Sequence, residues 1–188
     1  MKTLALFDFD GTLYKKDSLL EFTRFSKGNA AFSRGILMLF PDLAALKLGI
    51  RNNEKTKEKF IRHFFKDLAT EEFTALGADF AQHKIEKDLD PGIFEKFKSH
   101  INANDTVYIV TASFAEWIEP WSRQFNIEVV GTKPEIKNGK LTGNFSSKNC
   151  YGIEKVNRIA ALINLGDFEK ICVYGSGKGD REMLQLSK

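Results

Sequence analysis

The chain has 188 residues, a length that suits one domain or one core domain carrying an insertion. Hydrophobic residues make up 43%, which is enough for a packed core and excludes a globally disordered protein. The net charge of +3 is small and is not concentrated in a tail, so the composition predicts no nucleic-acid partner and is compatible with an anionic substrate.

Two features bear on the cellular compartment of the protein. Cys150 and Cys172 are far apart and fit no metal-binding spacing, which favours a reducing compartment. The first apolar stretch, Leu4 to Phe7, ends at Asp8 and is far too short for a secretory signal. We therefore expect a cytoplasmic protein without a transmembrane segment.

The elements change type along the chain. Residues 3–8 form a short apolar run ending in an acid, which is typical of a buried strand. Residues 17–87 show helical spacing throughout and no strand pattern. After residue 91 strands and helices alternate: strands are predicted at 106–110, 127–130 and 170–174, helices at 92–101, 114–125, 152–165 and from about 180, and a hairpin around Asn138-Gly139.

This order predicts an α/β protein with a three-layer, parallel-sheet (Rossmann-like) core and an inserted α-helical cap domain. The core would comprise residues 1–14 and 89–188, and the cap residues 15–88. The basic residues of the cap, Lys57 among them, are balanced by Glu54 and Glu58 at helical spacing and are predicted to form a solvated face.

One segment of the predicted cap, Gly35 to Ile50, is strongly apolar. It is too short to span a bilayer and is interrupted by Pro41 and Asp42. A buried helical hairpin is the interpretation we favour. The alternative is an exposed apolar surface for a lipid or a protein partner.

The first strand ends in two carboxylates, Asp8 and Asp10, followed by Gly11 and Thr12. The carboxyl edge of a parallel sheet is where ligands bind. Two close carboxylates repel each other, so such a pair needs a cation or a shared proton. A strand end with two solvated acids is the alternative for this motif taken alone.

The sequence resembles the haloacid dehalogenase-like superfamily, and within it the phosphoserine-phosphatase-like subgroup with a helical cap. Four motifs in order carry the resemblance over nearly the whole chain: Asp8-Phe9-Asp10-Gly11-Thr12-Leu13, Tyr108-Ile109-Val110-Thr111, Cys150-Tyr151-Gly152-Ile153-Glu154-Lys155, and Gly175 to Asp180. Each motif is weak alone, and the ordered set is specific. The family pattern also implies a C-terminal strand or tail after Leu184.

The resemblance implies a phosphatase with Asp8 as nucleophile and Asp10 as general acid and base. Lys155 would neutralise charge on Asp8 and on the phosphoryl group. Mg²⁺ would be held by Asp8, by the main-chain carbonyl of Asp10 and by Asp180.

The substrate side of the implied site centres on Thr111, whose hydroxyl would bind a phosphoryl oxygen. Its neighbours Ala112 and Ser113, together with Gly11, belong to the same predicted phosphate site. Asp17 has two readings that stay open. It either binds a substrate amino group, as an acidic residue does at this position in phosphoserine phosphatases, or it caps the following helix.

The fourth motif departs from the family pattern. Ser176 stands where an Asp is usual, and Asp180 follows four residues later. We expect Ser176 to give the metal a hydroxyl or a bound water at most, and Asp180 to be the remaining acidic ligand. The glycines around Ser176 fit no nucleotide-binding spacing.

Three functions follow from these motifs. The first is hydrolysis of a phosphorylated small-molecule metabolite. The second is a phosphatase acting on a phospholipid at a membrane surface, which the apolar Gly35–Ile50 segment would suit. The third is a non-catalytic phosphate-binding protein, supported only by Ser176.

Overall fold

The computed structural model describes residues 2–188. Four parallel strands form its central sheet in the order β3–β2–β1–β6. The strands are β1 (Thr3–Phe7), β2 (Thr106–Phe114), β3 (Glu128–Thr132) and β6 (Lys170–Tyr174). In the centre, Leu4 of β1 is in register with Thr106 on one side and with Ile171 on the other. A parallel sheet after strand–helix alternation is what the sequence predicts.

Both faces of the sheet are covered, which explains the unbroken apolar run of β1. Ala5 and Phe7 face one hydrophobic cluster, and Leu4 and Leu6 face another. The first cluster includes residues of α4 (Pro91–Asn102) and α5 (Glu119–Ser122), and the second includes residues of α6 (Ile153–Leu162) and α7 (Arg181–Leu184). The predicted three-layer core is therefore confirmed.

A helical segment is inserted after β1. It consists of α1 (Ser18–Lys47), α2 (Asn53–Phe65) and α3 (Thr70–Phe80). A π-helical turn (Ala81–Ile85) and a 3₁₀ turn (Glu86–Asp88) then lead back to the core. Residues 15–88, which the structure describes completely, add no strand to the sheet. The division into domains at residues 14/15 and 88/89 stays a prediction.

Helix α1 differs from expectation in two ways. It kinks at Gly28, whose φ of 77° lies in the left-handed region that favours glycine. Beyond the kink the chain continues as helix to Lys47, with Pro41 inside it. The buried helical hairpin predicted for Gly35–Ile50 is therefore wrong. The physical reason is that Pro41 is accommodated within one continuous helix, and this helix lies on the surface with only part of its apolar side chains buried.

The antiparallel hairpin forms around Asn138-Gly139 as predicted, from β4 (Pro134–Lys137) and β5 (Lys140–Phe145). It lies beside the main sheet and packs against α2. The Phe145 amide donates to the Glu58 carboxylate at 3.0 Å, and the Asp67 amide donates to the Leu141 carbonyl at 2.8 Å. These contacts tie the helical segment to the core.

The region after β2 also differs from prediction. Phe114 still pairs with Thr132, so β2 runs four residues past its predicted end. The predicted helix over 114–125 is reduced to α5, with 3₁₀ turns on either side (Ala115–Trp117 and Arg123–Phe125). Pro120 lies in the first turn of α5, where its missing N–H costs nothing, but it prevents a longer helix from running through this point.

The remaining turns are two 3₁₀ segments, Leu165–Asp167 before β6 and Lys178–Asp180 before α7. At the outer edge of β6, Ile171 exchanges two main-chain hydrogen bonds with Lys188. No helix within residues 2–188 is both long enough and apolar enough to cross a bilayer.

Candidate active site

The candidate site lies at the carboxyl edge of the sheet, directly after β1. The Asp8 amide donates to the Tyr174 carbonyl at 2.8 Å, which extends the β1–β6 pairing by one residue. The chain then turns back, and the amides of Thr12 and Tyr14 both donate to the Phe9 carbonyl. This turn places the Asp8 side chain in the interior at only 6% exposure.

Both oxygens of the Asp8 carboxylate have partners. Oδ1 lies 2.5 Å from the Lys155 ammonium, and Oδ2 accepts a hydrogen bond from the Thr12 hydroxyl at 3.0 Å. Burial raises the pKa of Asp8 to about 6, although the charge of Lys155 acts in the opposite direction. The ion pair thus compensates only part of the cost of burying this carboxylate.

Lys155 lies in the first turn of α6 and is almost fully buried. Its ammonium also lies 2.6 Å from Asp180 Oδ1, so one cation serves two carboxylates. Burial alone would lower the pKa of Lys155, but the charges of Asp8 and Asp180 outweigh it and raise that pKa. The lysine therefore stays charged.

The loop after β6 is organised around Asp180. Asp180 Oδ2 accepts hydrogen bonds from the amides of Ser176 at 3.0 Å and Gly177 at 2.7 Å. A Cβ on Gly175 would come within 2.7 Å of the Asp180 Cβ, so this close approach requires glycine. The glycine-rich run thus forms a tight loop around a carboxylate.

Ser176 faces the same centre from the other side. Its hydroxyl donates to the Gly11 carbonyl at 2.8 Å, and its oxygen lies 3.2 Å from the Thr12 hydroxyl, whose single proton is shared between Ser176 and Asp8. The Thr12 hydroxyl lies 3.0 Å from Asp8 Oδ2, so only this hydroxyl separates Ser176 from the Asp8 carboxylate. The fourth motif and the first are therefore in direct contact.

Asp10 points away from Lys155, toward the helical segment. Its carboxylate accepts from the Ser18 amide at 2.7 Å and from the Ser113 hydroxyl at 2.5 Å. Burial raises the pKa of Asp10, and the negative charge of Asp17 raises it further. A carboxyl that retains its proton is suited to act as a general acid.

The end of β2 supplies Thr111, Ala112 and Ser113. Thr111 is fully buried, and its hydroxyl oxygen accepts from the Ser113 amide at 3.0 Å.

Ser113 is also part of a chain of hydrogen-bond donors that the sequence did not predict. Trp117 Nε1 donates to the Ser18 hydroxyl at 3.0 Å, and Ser18 donates to Ser113 at 3.0 Å, so the Asp10 carboxylate is positioned through two serines.

Asp17 caps α1, since its carboxylate accepts from the Leu20 amide at 3.0 Å. The capping role is therefore observed. It does not exclude a role toward a substrate, because a carboxylate has further lone pairs to offer.

Lys57 of α2 is a residue whose position the sequence did not predict. Its ammonium points toward the end of β2, 3.5 Å from the Ala112 carbonyl, and no carboxylate of residues 2–188 lies within 4 Å of it. Burial lowers the pKa of Lys57, while the charges of Asp10 and Asp17 act against that effect. The prediction that Lys57 belongs to a solvated face is wrong, because helical spacing does not reveal which face of α2 meets the core.

Lys57 also borders a small cavity of about 10 Å³ between the helical segment and the end of β2. Its other lining residues include Leu19, Ala112, Ser113 and Trp117. This volume holds about one water molecule.

The donor chemistry of the centre fits Mg²⁺. Asp8 and Asp180 place carboxylate oxygens around a single ammonium, and the Ser176 hydroxyl lies beside them. Hard oxygen donors of this kind, few in number, are what Mg²⁺ prefers. Within residues 2–188 no three His, Cys, Asp or Glu side chains are grouped around one metal position, and the Asp10 carboxylate is turned toward Ser18 and Ser113.

Comparison with known proteins places these residues in a family. The model of the haloacid dehalogenase-like hydrolases matches residues 5–185. Protein CicA of Caulobacter vibrioides (strain NA1000 / CB15N) is 30% identical over 186 residues, which are 98% of this chain and 82% of CicA. The range matched by the family model spans all four motifs found in the sequence.

Two solved structures share the fold. A protein of unknown function from Bordetella pertussis Tohama I superimposes with a TM-score of 0.82 at 24% identity, covering 100% of this chain and 87% of the other. A substrate-bound phosphoserine phosphatase superimposes with a TM-score of 0.65 at 22% identity, covering 100% and 83%. At these identities the likeness establishes the fold.

Proposed function

Because the chain belongs to the haloacid dehalogenase-like hydrolases, we propose that it is a Mg²⁺-dependent phosphatase that cleaves a phosphomonoester through a phosphoryl intermediate on Asp8. The observation that carries this proposal is the Asp8 carboxylate itself. It is buried at a sheet edge between the Lys155 ammonium and the Thr12 hydroxyl, which fix its orientation. An oriented carboxylate beside a permanent cation is suited to attack an anionic phosphorus centre.

In the first half of the cycle an Asp8 oxygen forms a bond to phosphorus while the bond to the leaving oxygen breaks. Asp10 gives its proton to that leaving oxygen. Ser18 and Ser113 hold the Asp10 carboxyl in place, and burial raises its pKa, which favours the protonated form.

In the second half a water molecule attacks the same phosphorus. Asp10, now ionised, takes the proton of that water, and the bond between phosphorus and Asp8 breaks. Lys155 offsets the negative charge of Asp8 when the carboxylate reappears, and Asp180 holds Lys155 from the other side. The cycle returns both carboxyl groups to their starting protonation.

The residues that would hold Mg²⁺ are Asp8, the main-chain carbonyl of Asp10 and Asp180, with the Ser176 hydroxyl beside them. Bound there, the ion would offset the charge of two anions brought together. Thr111, Ala112, Ser113 and Gly11 form the proposed phosphate-binding side.

The substrate we propose is a small phosphorylated metabolite with a second anionic group. The half-buried Lys57 has no carboxylate partner within 4 Å among the described residues, and its ammonium lies between the helical segment and the phosphate-binding side. A partly desolvated cation of this kind is stabilised when an anion joins it. Asp17, on the same side, is available for a positively charged group.

Turnover of a set of soluble phosphomonoesters, measured with Mg²⁺ and with EDTA, tests this function. We expect Mg²⁺-dependent release of phosphate by the natural protein and none by Asp8→Asn, which keeps the side-chain shape and removes its charge. Binding of phosphate analogues without turnover of any ester would instead identify a non-catalytic phosphate-binding protein.

A further inference from the structure

The outer face of the second half of α1, together with the turn that follows it, carries an unusual concentration of exposed apolar side chains. Ten large apolar side chains of residues 2–188 are strongly exposed, and five of them lie between residues 37 and 50. These five, which we call the α1 patch, are Leu37 (75% exposed), Met38 (62%), Phe40 (63%), Leu48 (74%) and Ile50 (75%). Leaving such a patch in water is costly unless another surface covers it.

The charges around the α1 patch are of one sign. From Phe25 to Asn53 the chain carries four cations and a single acid, Asp42. Asp42 is buried and is held by ion pairs with Arg51 and Lys59, so it adds no negative charge to the surface. Arg34 lies one helical turn before Leu37, and Lys47 directly precedes Leu48, and both are exposed.

We propose that the α1 patch docks on the surface of an anionic phospholipid bilayer. An apolar stripe flanked by cations is the pattern of a helix that lies in the bilayer interface, where its apolar face enters the acyl boundary and its cations meet lipid phosphates. Residues 37–50 are too few to span the hydrocarbon core, so the contact is peripheral. The opposite face of the same helix, including Leu39, packs into the protein and holds the patch in place.

A second copy of the chain matches this surface less well. Across a two-fold axis the patch would meet itself, and the same cations would face one another without acids to pair with. An anionic bilayer satisfies both the apolar and the cationic part of the patch.

Vesicle flotation tests the docking independently of any catalytic activity. We expect the natural protein to float with vesicles of phosphatidylcholine and phosphatidylglycerol, to bind vesicles of phosphatidylcholine alone far less, and to be released by salt. The double substitution Leu37→Ser/Phe40→Ser should lower the partition coefficient by about tenfold for each side chain removed. The matched control is Ile136→Ser/Leu162→Ser, which alters exposed apolar side chains elsewhere and should bind as the natural protein does.

A second pair of variants tests the charges. Arg34→Gln/Lys47→Gln should lower binding to the anionic vesicles by about fivefold for each cation, whereas Lys148→Gln/Lys170→Gln should not. All these positions are exposed, so unchanged thermal unfolding will show that the fold is intact. Failure to float with anionic vesicles would overturn the proposal, as would equal binding by the patch and control variants. Sedimentation showing a dimer that Leu37→Ser/Phe40→Ser dissociates would also overturn it and assign the patch to a second copy.

Discussion

At the scale of single residues, the site is built on one buried cation shared by two buried carboxylates. Lys155 lies within 2.6 Å of both Asp8 and Asp180, and all three side chains are nearly inaccessible to water. One ammonium cannot fully offset the burial of two carboxylates. The pKa of Asp8 is raised because the single positive charge of Lys155 does not fully offset the burial of this carboxylate.

The raised pKa of Asp8 predicts how the free energy of unfolding depends on pH. Since burial raises the pKa of Asp8 from 3.8 to about 6, the folded protein binds more protons than the unfolded chain between those values. The free energy of unfolding should therefore fall as the pH rises from about 4 to about 6. In the metal-free protein, the wild type should lose on the order of 3 kcal/mol relative to Asp8→Asn over this interval. Urea unfolding in EDTA measures both proteins, and parallel pH profiles would contradict the raised pKa.

The neutral side chain of Ser176 leads to a prediction about the affinity of the site for Mg²⁺. It lies beside Thr12 and Gly11 with a neutral hydroxyl where the family pattern has a carboxylate. Ser176→Asp should therefore lower the Mg²⁺ concentration for half-maximal activity by roughly tenfold, the effect of about 1.4 kcal/mol of added attraction. Ser176→Asn, similar in size but uncharged, is the control. An equal shift in both variants, or none in either, would show that the missing charge is not what limits metal binding.

Lys57 predicts how the substrate is selected. Lys57→Met keeps the length of the side chain and removes its charge, so esters with a second anionic group should lose affinity by about tenfold or more. Esters without such a group should be little affected. Lys55→Met, on the exposed face of the same helix, is the matched control. Steady-state kinetics on pairs of esters will separate the cases, and an equal loss for both classes of ester would assign Lys57 to the phosphoryl group itself.

The sequence motifs identified residues that the structure brings together at one sheet edge, but they did not identify the side chains that surround them. Asp8, Thr12, Lys155, Ser176 and Asp180 come together from three of the four motifs, because motif order fixes which strand ends they follow. Ser18, Trp117 and Lys57 could not be found in this way. Their roles depend on how the helical segment packs against β2, and neither spacing nor residue type encodes that orientation.

At the scale of elements, the contact between α2 and the β4–β5 hairpin ties the helical segment to the sheet. Arg62 packs directly against Gly143, where a Cβ would come within 2.5 Å of the Arg62 Cα. The Arg62 guanidinium also donates to the Asn144 side chain. The absence of a side chain at position 143 is therefore what allows helix and hairpin to touch.

Two glycines of the same hairpin allow the cost of close packing to be measured apart from the cost of backbone strain. Gly143 and Gly139 both have positive φ, of 87° and 71°, but nothing lies within 4 Å of a Cβ at Gly139. Gly139→Ala should cost about 1 kcal/mol of unfolding free energy for the backbone alone. Gly143→Ala should cost about 1–3 kcal/mol more, because α2 must shift. Urea unfolding of the two variants measures the difference, and equal costs would mean that α2 does not rest on the hairpin.

Elements whose sequence shows one clear hydrophobic pattern or turn signal were predicted well. Elements whose sequence is compatible with more than one structure were not. The buried strands β1 and β6 and the Asn138-Gly139 hairpin are confirmed, because apolar runs and turn residues are local signals. The second half of α1 was predicted as a buried hairpin because its composition is apolar. Composition alone does not tell how much of that surface the rest of the chain can cover.

At the scale of the whole molecule, the helical segment and the sheet share one hydrophobic cluster. Phe22 and Phe73 of the helical segment belong to the same buried set as Phe7 and Phe97 of the core. The candidate site lies next to this shared interior and draws side chains from the inserted helices as well as from the sheet edge. The fold thereby holds the Asp10 carboxyl, which Ser18 and Ser113 orient, close enough to Asp8 for its charge to raise the pKa of Asp8.

The most direct test of the account is to isolate the phosphoryl group on Asp8. In Asp10→Asn the proton donor and acceptor is removed, but p-nitrophenyl phosphate has a leaving group that departs without a proton. Phosphorylation should therefore proceed and hydrolysis should stall. After acid quenching with Mg²⁺ present, mass spectrometry should find one phosphoryl group on the peptide that contains Asp8, and none in Asp8→Asn/Asp10→Asn. A peptide that stays unmodified while Asp8→Asn turns over substrate at the natural rate would contradict the covalent mechanism.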